Sequence, residues 1–330
     1  MMAFILLLLS VLAAALPMIS FLIAVWWMDR YEREPPVLVL AVFGWGAVGA
    51  VILALGGSGV LGVPVQLMVP EAGAVVGPVL IAPLAEEPAK ALVLLLLLRS
   101  RHFDGMTDGF VYGAAAGLGF GMTENFLYFL SPAIAGDAGG WVALVIMRTF
   151  FSAVMHAMST SVVGAALGWA RFRGTRTLIV AGSCGLAVAM TIHALWNGLI
   201  TFDPVLAAGG SLALLDVALL LAEMGLVFVV FQACVLVESL AIRRQLLDEA
   251  DRGHLSEQTA RTVSSWTQRT FRRWAPVGVD QRGYTTLAMT LALRKEQAML
   301  LDRRGLGGQL QREIQGLRDA MNASYPRRDQ

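Results

Sequence analysis

Seven long apolar runs fill the chain up to about residue 241, and polar residues take over afterwards. The runs cover about 3–28, 37–56, 75–98, 109–131, 141–170, 177–201 and 212–241. Crossing a hydrocarbon layer takes about 20 apolar residues in a helix, so each run is long enough. The pattern predicts an all-α fold: a polytopic membrane helix bundle of about seven transmembrane helices, with a helical cytoplasmic C-terminal segment. The expected division is 1–241 as membrane core and 242–330 as a modestly basic helical tail. The first run is not expected to be a signal peptide, because it lacks a basic start and stays apolar past Ala13-Ala14-Ala15 to Trp26-Trp27-Met28. In the tail, Ser256 is a candidate helix cap, and a second helix is predicted over 285–303 from the spacing of Leu287, Ala288 and Leu291.

Composition agrees with a membrane protein. The chain has 330 residues, 57% hydrophobic and 15% charged, with a mean hydropathy of +0.66; a soluble domain is nearer one quarter charged. The basic residues set an orientation. Arg30, Arg33, Arg99, Arg101, Arg171, Arg173, Arg176, Arg243 and Arg244 follow the odd-numbered runs, whereas loops 57–74, 132–140 and 202–211 contain no Lys or Arg. The positive-inside rule then puts the N-terminus outside and the tail in the cytoplasm. Cys184 and Cys234 form neither a disulfide framework nor a metal spacing. Trp266, Phe271 and Trp274 lie among Arg269, Arg272 and Arg273. That face either rests on an anionic leaflet or packs within its own domain. No nucleic-acid motif is present.

Polar groups inside the apolar runs carry the functional signal. Glu86 and Glu87 sit in Pro83-Leu-Ala-Glu-Glu-Pro-Ala-Lys90, and an ionisable residue at membrane depth is costly. The two acids point about 100° apart on a helix. Lys90 is three residues from one and four from the other, within reach of either. An ion pair that merely locks two helices would leave one carboxylate unmatched. Pro83 and Pro88 bracket the pair and suggest broken helical backbone beside a cavity. The fourth run has Gly109, Gly113, Gly117 and Gly121 as a packing stripe, then Glu124 and Asn125. Arg148 and His156 lie in the fifth run. His193 and Asn197, four apart, share a face in the sixth. Glu223, in the seventh, is read as a structural partner.

Counting about 1.5 Å per residue from the cytoplasmic ends puts Glu86 about 18 Å up, His156 about 21 Å, and Glu124 and His193 about 24 Å. Four residues from four helices therefore fall in one layer, toward the outer half of the membrane. Carboxylate plus imidazole suits general-base activation of water, and an imidazole with an amide could stabilise an oxyanion. Together they describe amide hydrolysis in or beside the membrane. A proton- or ion-coupled transporter and a non-catalytic scaffold are the competing classes.

Five segments carry a family resemblance: Asp29-Arg-Tyr-Glu-Arg-Glu-Pro35, Pro83 to Lys90, the glycine stripe ending in Glu124-Asn125, Arg148 to His156-Ala157, and His193-Ala-Leu-Trp-Asn197. Over about 25–240 the chain resembles the PrsW family of intramembrane proteases, related to the CAAX prenyl endopeptidase (ABI) superfamily. The resemblance implies a glutamate-dependent peptidase with catalytic residues Glu86, Glu87, His156, His193 and Asn197. Glu86 would be the base and His156 its assistant, with His193 and Asn197 as oxyanion donors. Lys90, Glu124, Asn125 and Arg148 would support them. Two departures from the wider superfamily stand out: Lys90 replaces an Arg one residue further on, and Ser152 replaces a Phe four residues before the middle histidine. The resemblance also implies a bacterial inner-membrane protein that cuts a single-pass membrane substrate, such as an anti-sigma factor, on its extracytoplasmic side. Two Glu and two His could bind zinc, but the superfamily's glutamate mechanism and the nearby Lys90 favour no cofactor.

Overall fold

A computed structural model describes residues 1–29, 33–206, 212–271, 274–275, 279–302 and 308–324. Among them the ordered elements are all helical. The chain divides into two units. The first holds Met1–Met28, Glu34–Arg171 and Thr175–Gln232, and the second comprises Ala233–Gln330 with the short connections around Asp29 and Phe172.

The first unit contains α1 (Met2–Met28), α2 (Pro36–Gly44), α3 (Val51–Met68), α4 (Gly73–Val76), α5 (Ala82–Leu97), α6 (Met106–Ala135), α7 (Ala138–Met147), α8 (Ala153–Ala170), α9 (Thr175–Leu206) and the first part of α10 (Leu212–Asp251). Widened π-helical turns at Trp45–Ala50, Gly77–Ile81 and Arg148–Ser152 join α2 to α3, α4 to α5 and α7 to α8. Such turns often mark functional positions in otherwise regular helices.

Among the described residues, four stretches are long and apolar enough to cross a membrane: Met2–Met28, Pro36–Met68, Ala138–Ala170 and Thr175–Phe202. Seven were expected; of the other three runs, the seventh falls in α10, where the side chains of residues 212–221 lie outside the described residues. In α5 and α6 polar groups interrupt the apolar pattern, with Glu86, Glu87 and Lys90 in one and Asp108, Glu124 and Asn125 in the other. Phe4, Leu8, Leu12, Leu16 and Ile23 of α1 all face outward, which suits lipid and would be an unusually large apolar patch in water. The segment 57–74, expected as a loop, stays helical to Met68 despite Gly57, Gly59, Gly62 and Pro64. Its apolar residues continue the run, and backbone in lipid must bond to itself.

The packing of α6 explains how the site is positioned. A Cβ on Gly109, Gly113 or Gly117 would lie 2.0, 2.4 or 2.1 Å from a backbone oxygen of α8, at Gly164, Thr160 and His156. On another face, Gly119 would meet Phe43 O at 2.0 Å. The stripe lets α6 and α8 touch backbone to backbone, which fixes Glu124 of α6 against His156 of α8. Asp108 Oδ2 accepts the Asp104 and Gly105 amides at 2.6 and 2.7 Å, closing the start of α6. At its end Gly136 takes φ +72°, and Asp137 caps α7 by accepting from Gly140 N. Glu34 is held by Tyr112 OH and Trp26 Nε1, the latter donating 2.8 Å to its carbonyl. Arg30 and Glu32 of that segment lie outside the described residues.

The second unit packs the rest of α10 with α11 (Glu257–Ser264), α12 (Trp266–Phe271), α13 (Gln281–Asp302) and α14 (Gly308–Ser324) around Ile242, Leu246, Val263, Tyr284, Leu291 and Ile314. Ser256 caps α11 by accepting the Thr259 amide at 3.1 Å. Trp274 packs edge-on to Tyr284, and Arg269 is buried with its guanidinium on Val263 O. Phe271 is 75% exposed. Arg272 and Arg273, from the basic aromatic segment, lie outside the described residues.

Candidate active site

Four of the first unit's helices and one π-turn converge on one cluster. Glu86, Glu87 and Lys90 come from α5, Glu124 and Asn125 from α6, His156 from α8, and His193 and Asn197 from α9, while Arg148 opens the π-turn before α8. Lys90 is wholly buried. It donates to Glu87 Oε1 at 2.6 Å and to His156 Nδ1 at 3.0 Å, and lies 4.9 Å from the Phe120 ring centroid. Glu87 Oε1 also accepts from His193 Nδ1 at 2.7 Å. On the far side of His156, Nε2 meets Glu124 Oε2 at 2.6 Å, and Arg148 reaches the same oxygen at 2.7 Å. Glu86 Oε2 is 3.8 Å from His193 Nε2 and has no hydrogen-bond partner; the same holds for Glu87 Oε2.

These bonds dictate the tautomers. An ammonium on Nδ1 makes that nitrogen of His156 the acceptor, so its proton sits on Nε2 and goes to Glu124. His193 gives its Nδ1 proton to the Glu87 carboxylate. Its Nε2 then faces Glu86 as an acceptor and becomes a donor only when the ring takes a second proton.

A cavity of about 560 Å³ opens against the cluster. Glu86, Glu124, Arg148, Ser152, His156 and Asn197 are among its polar lining residues, and Ile81, Leu144, Met147, Trp196 and Ile200 among its apolar ones. Glu87, Lys90 and His193 are buried and do not line it. Asn125 does not line it: its amide holds Arg148, accepting from Nε at 3.0 Å and donating to the Arg148 carbonyl at 3.3 Å. Asn197 Nδ2 donates to Pro78 O at 2.8 Å, which leaves its second N–H. The side chain of Glu223 lies outside the described residues.

Two contributors were given no role from the sequence. Tyr128 lies one helical turn after Glu124, and its ring supports the Arg148 guanidinium at 3.6 Å; the four-residue spacing was the available signal. Ser152, noted only as a departure, accepts from Arg148 at 3.2 Å. A Phe there would have no such hydroxyl.

The model of the PrsW family intramembrane metalloprotease matches residues 34–236. The chain belongs to the PrsW family. It is 26% identical over 194 residues to protease PrsW of Bacillus subtilis (strain 168), covering 57% of this chain and 81% of that one. Protease PrsW of Clostridioides difficile (strain 630) is 29% identical over 167 residues, 49% and 67% of the two chains. That of Geobacillus kaustophilus (strain HTA426) is 30% identical over 165 residues, 48% and 66%. No solved structure matches the chain. Membership and the apolar helices make this a membrane protein, and the family is one of proteases.

The family description raises a metal. Glu86, His156 and His193 offer ligand atoms that all lie within 4.8 Å of one another, a donor set that zinc enzymes use. His193 fits, since Glu87 behind Nδ1 leaves Nε2 as a ligand. His156 does not fit: Lys90 occupies the lone pair on Nδ1, and Nε2 gives its proton to Glu124. A buried ammonium 3.0 Å from a would-be ligand also opposes a dication. As arranged, the cluster does not complete a three-ligand metal site.

Proposed function

We propose that this protein is a metal-free intramembrane endopeptidase in which Glu86 activates water against a peptide bond. The observation carrying this reading is the convergence of Glu86, His156 and His193 within 4.8 Å, with Glu86 and His156 lining a cavity of about 560 Å³ and His193 beside Glu86. Glu86 takes one proton from water as the oxygen attacks the peptide carbonyl. That proton passes across the 3.8 Å gap to His193 Nε2, whose other nitrogen is already held by Glu87. The resulting imidazolium and the second N–H of Asn197 donate to the oxyanion. When the C–N bond breaks, the proton goes to the leaving amine. Glu124 and Arg148 keep His156 in one tautomer, and Lys90 ties His156 to Glu87.

The substrate in this reading is a single-pass membrane regulator of the anti-sigma-factor type, cut on its extracytoplasmic side. The shared depth of the four residues and the absence of Lys and Arg from segments 57–74, 132–140 and 202–211 support that orientation, with seven helical segments crossing a bacterial inner membrane and the tail in the cytoplasm. The test is cleavage of a library of single-pass substrates by purified protein in lipid. Glu86→Gln and His193→Ala should each lower the rate at least about 100-fold. Cleavage surviving both would overturn the reading, and loss of cleavage on chelation would overturn its metal-free form. Proton or ion flux without cleavage would favour a carrier.

A further inference from the structure

The backbone just before Glu86 lacks a donor where a helix would normally have one. In the π-turn Gly77–Ile81, the Ala82 amide donates to Gly77 O, five residues back, and so bypasses Pro78 O. The next amide able to reach Pro78 O in this winding is that of residue 83, and residue 83 is a proline without an N–H. A carbonyl left unpaired at membrane depth is costly. Asn197, arriving from α9, donates Nδ2 to it at 2.8 Å.

The π-turn Arg148–Ser152 is an internal comparison. There the amide five residues on is present, and Ala153 N–H donates to Arg148 O. A neighbouring asparagine, Asn125, reaches the same carbonyl, but only at 3.3 Å. A carbonyl served by its own helix holds the side chain loosely; one that has been deprived holds it closely.

We infer that Pro83 is a positioning residue for the oxyanion site: by withholding an N–H from Pro78 O, it keeps that carbonyl for Asn197 and so aims the second amide N–H of Asn197 into the cavity beside Glu86. This rests on Asn197 acting as an oxyanion donor, as proposed above. Any residue other than proline at 83 supplies an amide that competes for Pro78 O and lets the turn rewind. Pro83 therefore acts on the reaction without touching the substrate.

A double-mutant cycle tests it, using full-length protein in lipid and the best-cleaved member of a single-pass peptide library. Asn197→Ala should lower kcat about 100-fold, the usual effect of losing one oxyanion donor. Pro83→Ala should lower kcat about tenfold with KM unchanged. The double variant should match Asn197→Ala alone, because the proline acts only through the amide. Alanine suits a helix better than proline, so the thermal midpoint should not fall. Pro83→Leu adds the same N–H with a different side chain and should show the same loss. A wild-type kcat for Pro83→Ala, multiplicative effects in the double variant, or a loss in only one of the two proline variants would overturn the inference. If Glu86→Gln also leaves cleavage intact, the reading of the whole site fails; if Glu86→Gln abolishes cleavage while Pro83→Ala is silent, only this inference fails.

Discussion

The chain has two lysines, one in each unit, and both are buried in ionic clusters of different construction. Lys295 uses all three of its donors on oxygen: Gln245 O at 3.2 Å, Asp248 Oδ2 at 2.6 Å and Glu249 Oε1 at 2.5 Å. Arg318 grips both oxygens of the same Glu249 at 2.9 and 2.7 Å. Lys90 instead divides itself between a carboxylate and an imidazole, and two carboxylate oxygens nearby, on Glu86 and Glu87, go without hydrogen bonds. The first cluster is saturated, as a structural ion pair must be to offset its desolvation. The second is left incomplete beside a cavity. A buried charge network that is not fully satisfied is expensive, and a fold retains it where the open valences do chemistry.

Replacing each lysine separates the two cases most sharply. Lys90→Met should abolish cleavage and destabilise the first unit by about 3–5 kcal/mol, the usual result of stranding a buried partner charge. Lys295→Met should loosen the second unit by a comparable amount while cleavage by the remaining folded protein continues. Parallel thermal melts and cleavage assays read both effects, and equal loss of cleavage in the two variants would erase the distinction.

The glycine stripe provides the next test. Gly117→Ala puts a Cβ 2.1 Å from His156 O, whereas Gly121→Ala meets nothing closer than 3.5 Å. The first should cost about 1–3 kcal/mol and reduce cleavage by displacing His156; the second should do neither.

Acid should act on the saturated cluster. Burial raises the Glu249 carboxyl, but hydrogen bonds from Arg318 and Lys295 outweigh it and hold the group below the usual carboxylate range. Asp248 is lowered in the same way, burial being outweighed by Lys295 and Arg252. A carboxylate depressed in the folded state stabilises it above the unfolded value, about 4.3 for Glu. That stability is lost as pH falls through the folded value. The second unit should therefore lose stability only below about pH 4, followed by the near-ultraviolet signal of Trp274. Smallest of all, Ser256→Ala should cost about 1 kcal/mol by removing the α11 cap.

The helical architecture was legible because long apolar runs, with basic residues between alternate ones, leave few alternatives. Depth counting brought Glu86, Glu124, His156 and His193 into one layer, since a helix converts residue number directly into height. It gave no azimuth. Whether Glu87 or Glu86 would take the lysine, and that Asn125 would turn from the cavity to hold Arg148, depend on rotations that the π-turns alter. A π-turn shifts every later side chain around the axis and leaves almost no trace in the sequence. The helix over 57–68 was unexpected because the apolar run had been closed at residue 56; in lipid, backbone that cannot bond to solvent bonds to itself and prolongs the helix.

The composition of α5 also constrains how the protein is made. Glu86, Glu87 and Lys90 cost about 3 kcal/mol each near the centre of an inserting helix, and the apolar residues of 91–98 return only about 0.3–0.6 each. On its own this helix would rather stay out of the bilayer. What makes it comfortable there is supplied by His156 and His193, on helices translated later. During synthesis α5 must therefore be sheltered, at the insertion machinery or against α6, until α8 and α9 emerge. In the arrangement proposed here, the chemistry of the site and the order of its assembly depend on the same three side chains.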